Sequence, residues 1–160
     1  NANYGTTTLA NGSNFNVKVN NVTGAAGTNW DEVLMSLLSV SSSVNINLYG
    51  LTAADVAGAT PGFNNTTSFT LQIATLSGVS QSTLSGELAD FSLNTSNFTI
   101  SNPISSGGTF TLLALADGPG SYLDLQYNAT PEPGAAMLVL AATVPMLNTR
   151  RRRRAPVTQK

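Results

Sequence analysis

The 160-residue chain has no cysteine and no histidine, which removes thiolate chemistry, the commonest zinc ligand and the commonest general base near neutral pH. Its formal charge of −1 hides a split: Arg150–Arg154 and Lys160 hold six of the seven basic residues, so Lys18 alone faces seven carboxylates before Pro131, a net charge of −6 for that segment. An acidic body excludes nucleic acid as a partner. Charged residues at 9%, among abundant Asn, Ser, Thr and Gly, suit a secreted β-rich domain better than a cytosolic enzyme.

Taken in chain order, period-two alternation dominates. Phe15, Val17 and Val19 alternate with Asn14, Asn16 and Lys18. Successive strand side chains point to opposite faces, so such a segment buries one face and wets the other. Trp30, Val33, Leu34, Leu37 and Leu38 have helical spacing, but Val40 and the serines after it favour strand, and Trp30–Val40 is read as strand. Val44, Ile46 and Leu48 alternate with Asn45, Asn47 and Tyr49.

Thr52-Ala53-Ala54-Asp55 has the form of a weak capping box, which predicts a single helical turn near Ala53–Ala57. Phe69, Leu71 and Ile73 then alternate with Thr70, Gln72 and Ala74, and Leu123, Leu125 and Tyr127 with Tyr122, Asp124 and Gln126. Asp117-Gly118-Pro119-Gly120 separates Thr109–Leu115 from Ser121–Tyr127 and predicts a hairpin. No other segment before the C-terminal tail supports a helix of two or more turns. The expectation is an all-β body over residues 1–128, either a β-sandwich or the capped end of a β-solenoid.

Residues 129–154 have a different character. Pro131-Glu132-Pro133 is followed by an apolar run, Gly134–Leu147, and then by Arg150, Arg151, Arg152, Arg153 and Arg154; residues 155–160 are expected to be disordered. The prolines fix φ and hold the motif extended. A helix over 134–149, a short hydrophobic span interrupted by Pro145, would leave the arginines on the cytoplasmic side. This order of elements resembles the PEP-CTERM sorting signal of bacterial surface proteins.

The resemblance implies an exosortase-type membrane enzyme as partner, cleavage at or near Pro131, Glu132 and Pro133, and a stop block at Arg150–Arg154. It also implies transient residence in the inner membrane and delivery to the cell surface or extracellular matrix. An export signal upstream of Asn1 is then required, so the chain reads as the C-terminal part of something longer.

The body is similar to the C-terminal region of secreted proteins carrying autotransporter-associated β-strand repeats. The shared features are Gly27-Thr28-Asn29-Trp30-Asp31, the Val44–Leu48 strand, Ser68–Ala74 and the closing 108–127 hairpin, in that order. In that family the upstream repeats are thought to stack as a parallel β-solenoid, which would make this piece its terminal cap. No fixed-period repeat stands out within the chain.

Chemistry in the body is expected to be sparse, with no catalytic residue, metal or cofactor. Asp31 and Glu32 are adjacent, so on a strand they would point to opposite faces. Asp117 shapes its turn, and Asp124 is expected on the wet face; a catalytic pair or a calcium site there is the weaker reading. Tyr49 and Tyr122 are candidate sugar-stacking rings, whereas Trp30 reads as a plug for the core. The Asn-x-Ser/Thr sequons at Asn11, Asn21, Asn64, Asn65, Asn94, Asn97 and Asn128 follow from composition. The functional expectation is a non-enzymatic surface or matrix protein, with extracellular polysaccharide as a partner of the exported body; the alternative is a glycan-binding module or the C-terminal module of a secreted hydrolase.

Overall fold

The computed structural model describes residues 2–40, 42–104 and 108–130. Eight strands account for about half of these: β1 (Ala2–Leu9), β2 (Asn14–Val19), β3 (Val33–Val40), β4 (Val44–Gly50), β5 (Phe69–Leu76), β6 (Phe91–Asn94), β7 (Thr109–Asp117) and β8 (Gly120–Asn128). Two short helices, α1 (Gln81–Glu87) and α2 (Ser96–Thr99), flank β6. Chain positions 1–129 make one compact unit. The described residues are thus mostly β, with one mixed and one parallel sheet.

The strands divide between two sheets in alternation. One sheet has the order β1-β3-β5-β8-β7 and the other β2-β4-β6. The chain therefore passes from the first sheet to the second three times before it closes with β7 and β8. β1, β3 and β5 pair in parallel, as do β2, β4 and β6. β8 then pairs antiparallel with β5, and β7 with β8.

Both sheets contribute to a single core. Val17 and Val19 of β2 and Ile46 and Leu48 of β4 join Leu71 and Leu76 of β5 and Leu123 and Leu125 of β8 in one buried cluster. β4 shows the alternation most cleanly, with Val44, Ile46, Leu48 and Gly50 buried and the residues between them half-exposed. In β3, Met35 and Leu38 are buried three residues apart while Leu37 is exposed. That spacing accounts for the helical look of the segment, although the backbone is extended.

An aromatic group fills the region next to the closing hairpin. Phe63, Phe69, Phe98, Phe110 and Tyr127 stand with ring centroids 5.0–6.2 Å apart, several of them edge to face. Edge-to-face pairs bring the positive rim of one ring to the negative face of the next. The hairpin turn is as short as its sequence foretells: Asp117 pairs with Gly120 across Gly118-Pro119. Gly118 takes the left-handed φ of 56° that a two-residue hairpin loop requires at its first position.

Four points depart from the expectations or go beyond them. Thr52–Ala57 is a turn and not a helix: Asp55 adopts φ 58°, and Leu51 bridges Ala57 in antiparallel fashion. A left-handed residue at that point ends any right-handed turn. Conversely, α1 is nearly two turns long and runs into a 3-10 turn, Leu88–Asp90. Ser80 caps it by accepting from the Thr83 amide, and Leu84 is its buried anchor. Third, alternation in β5 breaks between Gln72 and Ala74, where a register shift buries both Ile73 and Ala74. Fourth, Asp124 is only 7% exposed and does not lie on a wet face.

Among the described residues, no helix is long and apolar enough to cross a membrane. The apolar segment 134–149 lies outside the described residues, as do 131–133 and 150–160.

Candidate functional site

Pro131, Glu132, Pro133 and Arg150–Arg154 fall beyond the described residues, so the structural site chemistry is that of the body. Its most regular feature is a row of asparagines along the second sheet. Parallel pairing aligns Asn16 with Asn47, and Asn47 with Asn94. Asn47 Nδ2 donates to Asn16 Oδ1 at 3.0 Å and to Asn14 Oδ1 at 3.2 Å. Asn94 Nδ2 donates to Asn47 Oδ1 at 3.2 Å. An amide side chain carries both donor and acceptor, so identical residues stacked in register satisfy one another. Spacing alone contained the signal: Asn14-Phe15-Asn16-Val17 returns as Asn45-Ile46-Asn47-Leu48, 31 residues on.

The carboxylates are dispersed. Asp31 and Glu32 precede β3 and serve different structures. Asp31 Oδ2 accepts the Lys18 amide at 3.0 Å. Glu32 is buried, and its Oε1 accepts from Gln72 Nε2 at 2.9 Å and Thr75 Oγ1 at 3.0 Å. Asp117 and Asp124 do not face each other. Asp117 stands opposite Gly120, and Asp124 opposite Leu113, four positions along β7 and so about 13 Å away at ~3.3 Å per residue. Among the described residues, no group of three or more acidic side chains is placed to hold a metal ion.

Asp124 is the electrostatic anomaly. Its Oδ1 is buried with no hydrogen-bond partner among the described residues, and burial raises its pKa above the usual aspartate value. Desolvation penalises the charged form, which is the cause of that direction. Neighbouring Tyr122 has its phenol pKa raised, chiefly by its hydrogen bond to Asp117 and then by burial and the surrounding carboxylates. Glu87, at the end of α1, is raised by burial and then by Asp90.

Trp30 packs against the core, as a plug should, but it also lines a pocket of about 390 Å³. Its indole Nε1 donates to the Gln72 carbonyl at 2.9 Å, where the register shift interrupts β5. Lys18, Asn20, Asn29, Asp31, Leu51 and Asp55 form the rest of the wall with Gly27 and Thr28. Asn20 Nδ2 donates to Asp55 Oδ1 at 2.7 Å, and Asn29 Nδ2 to Asn20 Oδ1 at 3.4 Å. Asn29 Oδ1 in turn accepts the Ala25 amide at 3.0 Å. The pocket joins residues from three separate stretches of chain, which sequence spacing does not reveal. Tyr49 and Tyr122, the rings singled out from the sequence, do not line it.

Three sequons share one local geometry. In Asn21-Val22-Thr23, Asn64-Asn65-Thr66 and Asn94-Thr95-Ser96, the Asn Oδ1 accepts both the amide and the hydroxyl of the residue two positions on, at 2.8–3.1 Å. These motifs act here as turn-forming staples. No family model, no curated protein and no solved structure matches the chain.

Proposed function

We propose that the chain is a non-enzymatic surface or extracellular-matrix protein whose body is the capped end of a β-solenoid and whose tail is a PEP-CTERM-type sorting signal. The observation that carries the solenoid reading is the alternation of the chain between two sheets, with β1-β3-β5 and β2-β4-β6 each paired in parallel and asparagines 16, 47 and 94 in register. Parallel coils need a device that ends the stack, because an open edge templates further pairing. The reversed strands β8 and β7, with the aromatic group beneath them, have the form of such a cap. At the opposite end, Leu9, Phe15, Val33 and Met35 line an apolar pocket of about 300 Å³. A further parallel coil added to β1 and β2 would cover it.

The tail reading rests on the order of three elements in the sequence: the proline-bracketed Glu132, the apolar 134–147 run and Arg150–Arg154. In this reading an exosortase-type enzyme cuts near Pro131-Glu132-Pro133 while the arginines hold the precursor in the inner membrane. Cleavage removes the arginine block and leaves a body of net charge −6. Mass spectrometry of the mature protein from its native host is the test. A C-terminus upstream of Gly134 is the expected result, and replacement of Pro131, Glu132 and Pro133 by alanine should leave a full-length, membrane-retained precursor. A mature protein that still carries Arg150–Lys160 would overturn the sorting reading.

A further inference from the structure

We propose that the pocket beside Trp30 binds one pyranose unit of a neutral polysaccharide. Its volume of about 390 Å³ lies within the range of small-ligand sites, roughly 300–1,000 Å³. A sugar ring has two chemistries, an apolar C–H face and a rim of hydroxyls that both donate and accept. The wall has the same two. Trp30 and Leu51 supply apolar surface, while Lys18 supplies donors, Asp31 and Asp55 supply acceptors, and Asn20 supplies both.

The site is fixed before a ligand arrives. Trp30 is anchored through its indole N–H to the Gln72 carbonyl and by packing on the core. The polar side is held by the chain of bonds from Asp55 through Asn20 to Asn29 and on to the Ala25 amide. Pre-ordering of this kind lowers the entropy lost on binding, which is what limits the affinity of weak polar ligands.

Charge selects the ligand class. The pocket contains two carboxylates and one ammonium, on a body whose net charge is −6. Uronates and sugar phosphates are therefore disfavoured relative to neutral hexoses. The inference extends the extracellular reading of the body but does not depend on the sorting tail, so the two can fail separately.

Trp30 is the single tryptophan of the chain, so its fluorescence reports on this pocket directly. The full chain is titrated with neutral gluco-, manno- and galacto-oligosaccharides and, in parallel, with oligogalacturonate. A saturable change in emission with a neutral series is expected, with a dissociation constant on the order of 1 mM, and a weaker or absent response to oligogalacturonate. Lys18 and Thr28 are exposed, so their variants keep the fold. Lys18→Ala should weaken binding about tenfold, and Thr28→Arg, which plugs the pocket, should abolish it with an unchanged circular dichroism spectrum. The proposal is overturned if no neutral series gives a saturable response, if oligogalacturonate binds best, or if Thr28→Arg binds as the parent does.

Discussion

The side-chain amide of Asn94 donates to Oδ1 of Asn47 at 3.2 Å although 47 residues separate the two in sequence. Asn47 is thereby the middle member of the row, since its own amide reaches Asn16 and Asn14 on the other side. Replacing it removes three hydrogen bonds and leaves the exposed amides of Asn14, Asn16 and Asn94 to water. Asn47→Ala should destabilise the body by about 1–3 kcal/mol, at ~0.5–1.5 kcal/mol net per bond with some recovery from solvent. Asn16→Ala, at the end of the row, should cost less. Urea unfolding of both variants checks the order.

Asp124 gives a pH-dependent expectation. Its folded-state pKa is raised, so the native protein binds more protons than the unfolded chain between the ordinary value of 3.8 and the raised one. Its charge therefore works against folding above that window, and the penalty disappears as pH falls below it. Asp124→Asn should be more stable than the parent at neutral pH by about 1 kcal/mol, and the advantage should vanish near pH 3.8. Thermal melts of both proteins across this range measure it. An equal difference at every pH would show that the carboxyl is not the cause.

The aromatic group separates packing from hydrogen bonding. Phe98 is fully buried and meets Phe63 and Phe110 edge-on at 5.2 and 5.5 Å. Phe98→Ala should cost about 3–5 kcal/mol through lost contacts and the cavity left behind. Tyr127 keeps its ring contacts in Tyr127→Phe and loses only the 2.9 Å bond to the Asn65 carbonyl, for about 1 kcal/mol. Denaturant midpoints of the two variants should differ accordingly.

What could be read in the sequence was local. β4 and the β7–β8 hairpin follow from alternation and from a four-residue turn, and neither needs knowledge of a partner. Sheet membership could not be read so easily, because Asn16 meets Asn47 31 residues away and Asn47 meets Asn94 47 residues away. The two separations differ, so the aligned strands leave no fixed period in the sequence. α1 was missed because Ser80–Gly86 is rich in turn-forming residues, and the Leu84–Leu88 spacing was its only apolar signal. The burial of Asp124 depends on β5 and β7 lying on either side of β8, which alternation within one strand cannot report. The Trp30 pocket is likewise tertiary: the sequence marked Trp30 as a plug but offered nothing to place Lys18 and Asp55 beside it.

The alternation of strands between the two sheets has a mechanical consequence. Among the described strands, β1 pairs with β3 alone and β2 with β4 alone, so residues 2–19 can be lifted away while β5, β8 and β7 stay paired. The 31 residues from Asn16 to Asn47 advance the second sheet by one strand spacing, about 4.8 Å. Drawn out, the same 31 residues span about 105 Å at ~3.4 Å per residue. Tension applied at the N-terminal end would therefore draw out a long thread for each strand spacing lost, with the aromatic end the last to yield.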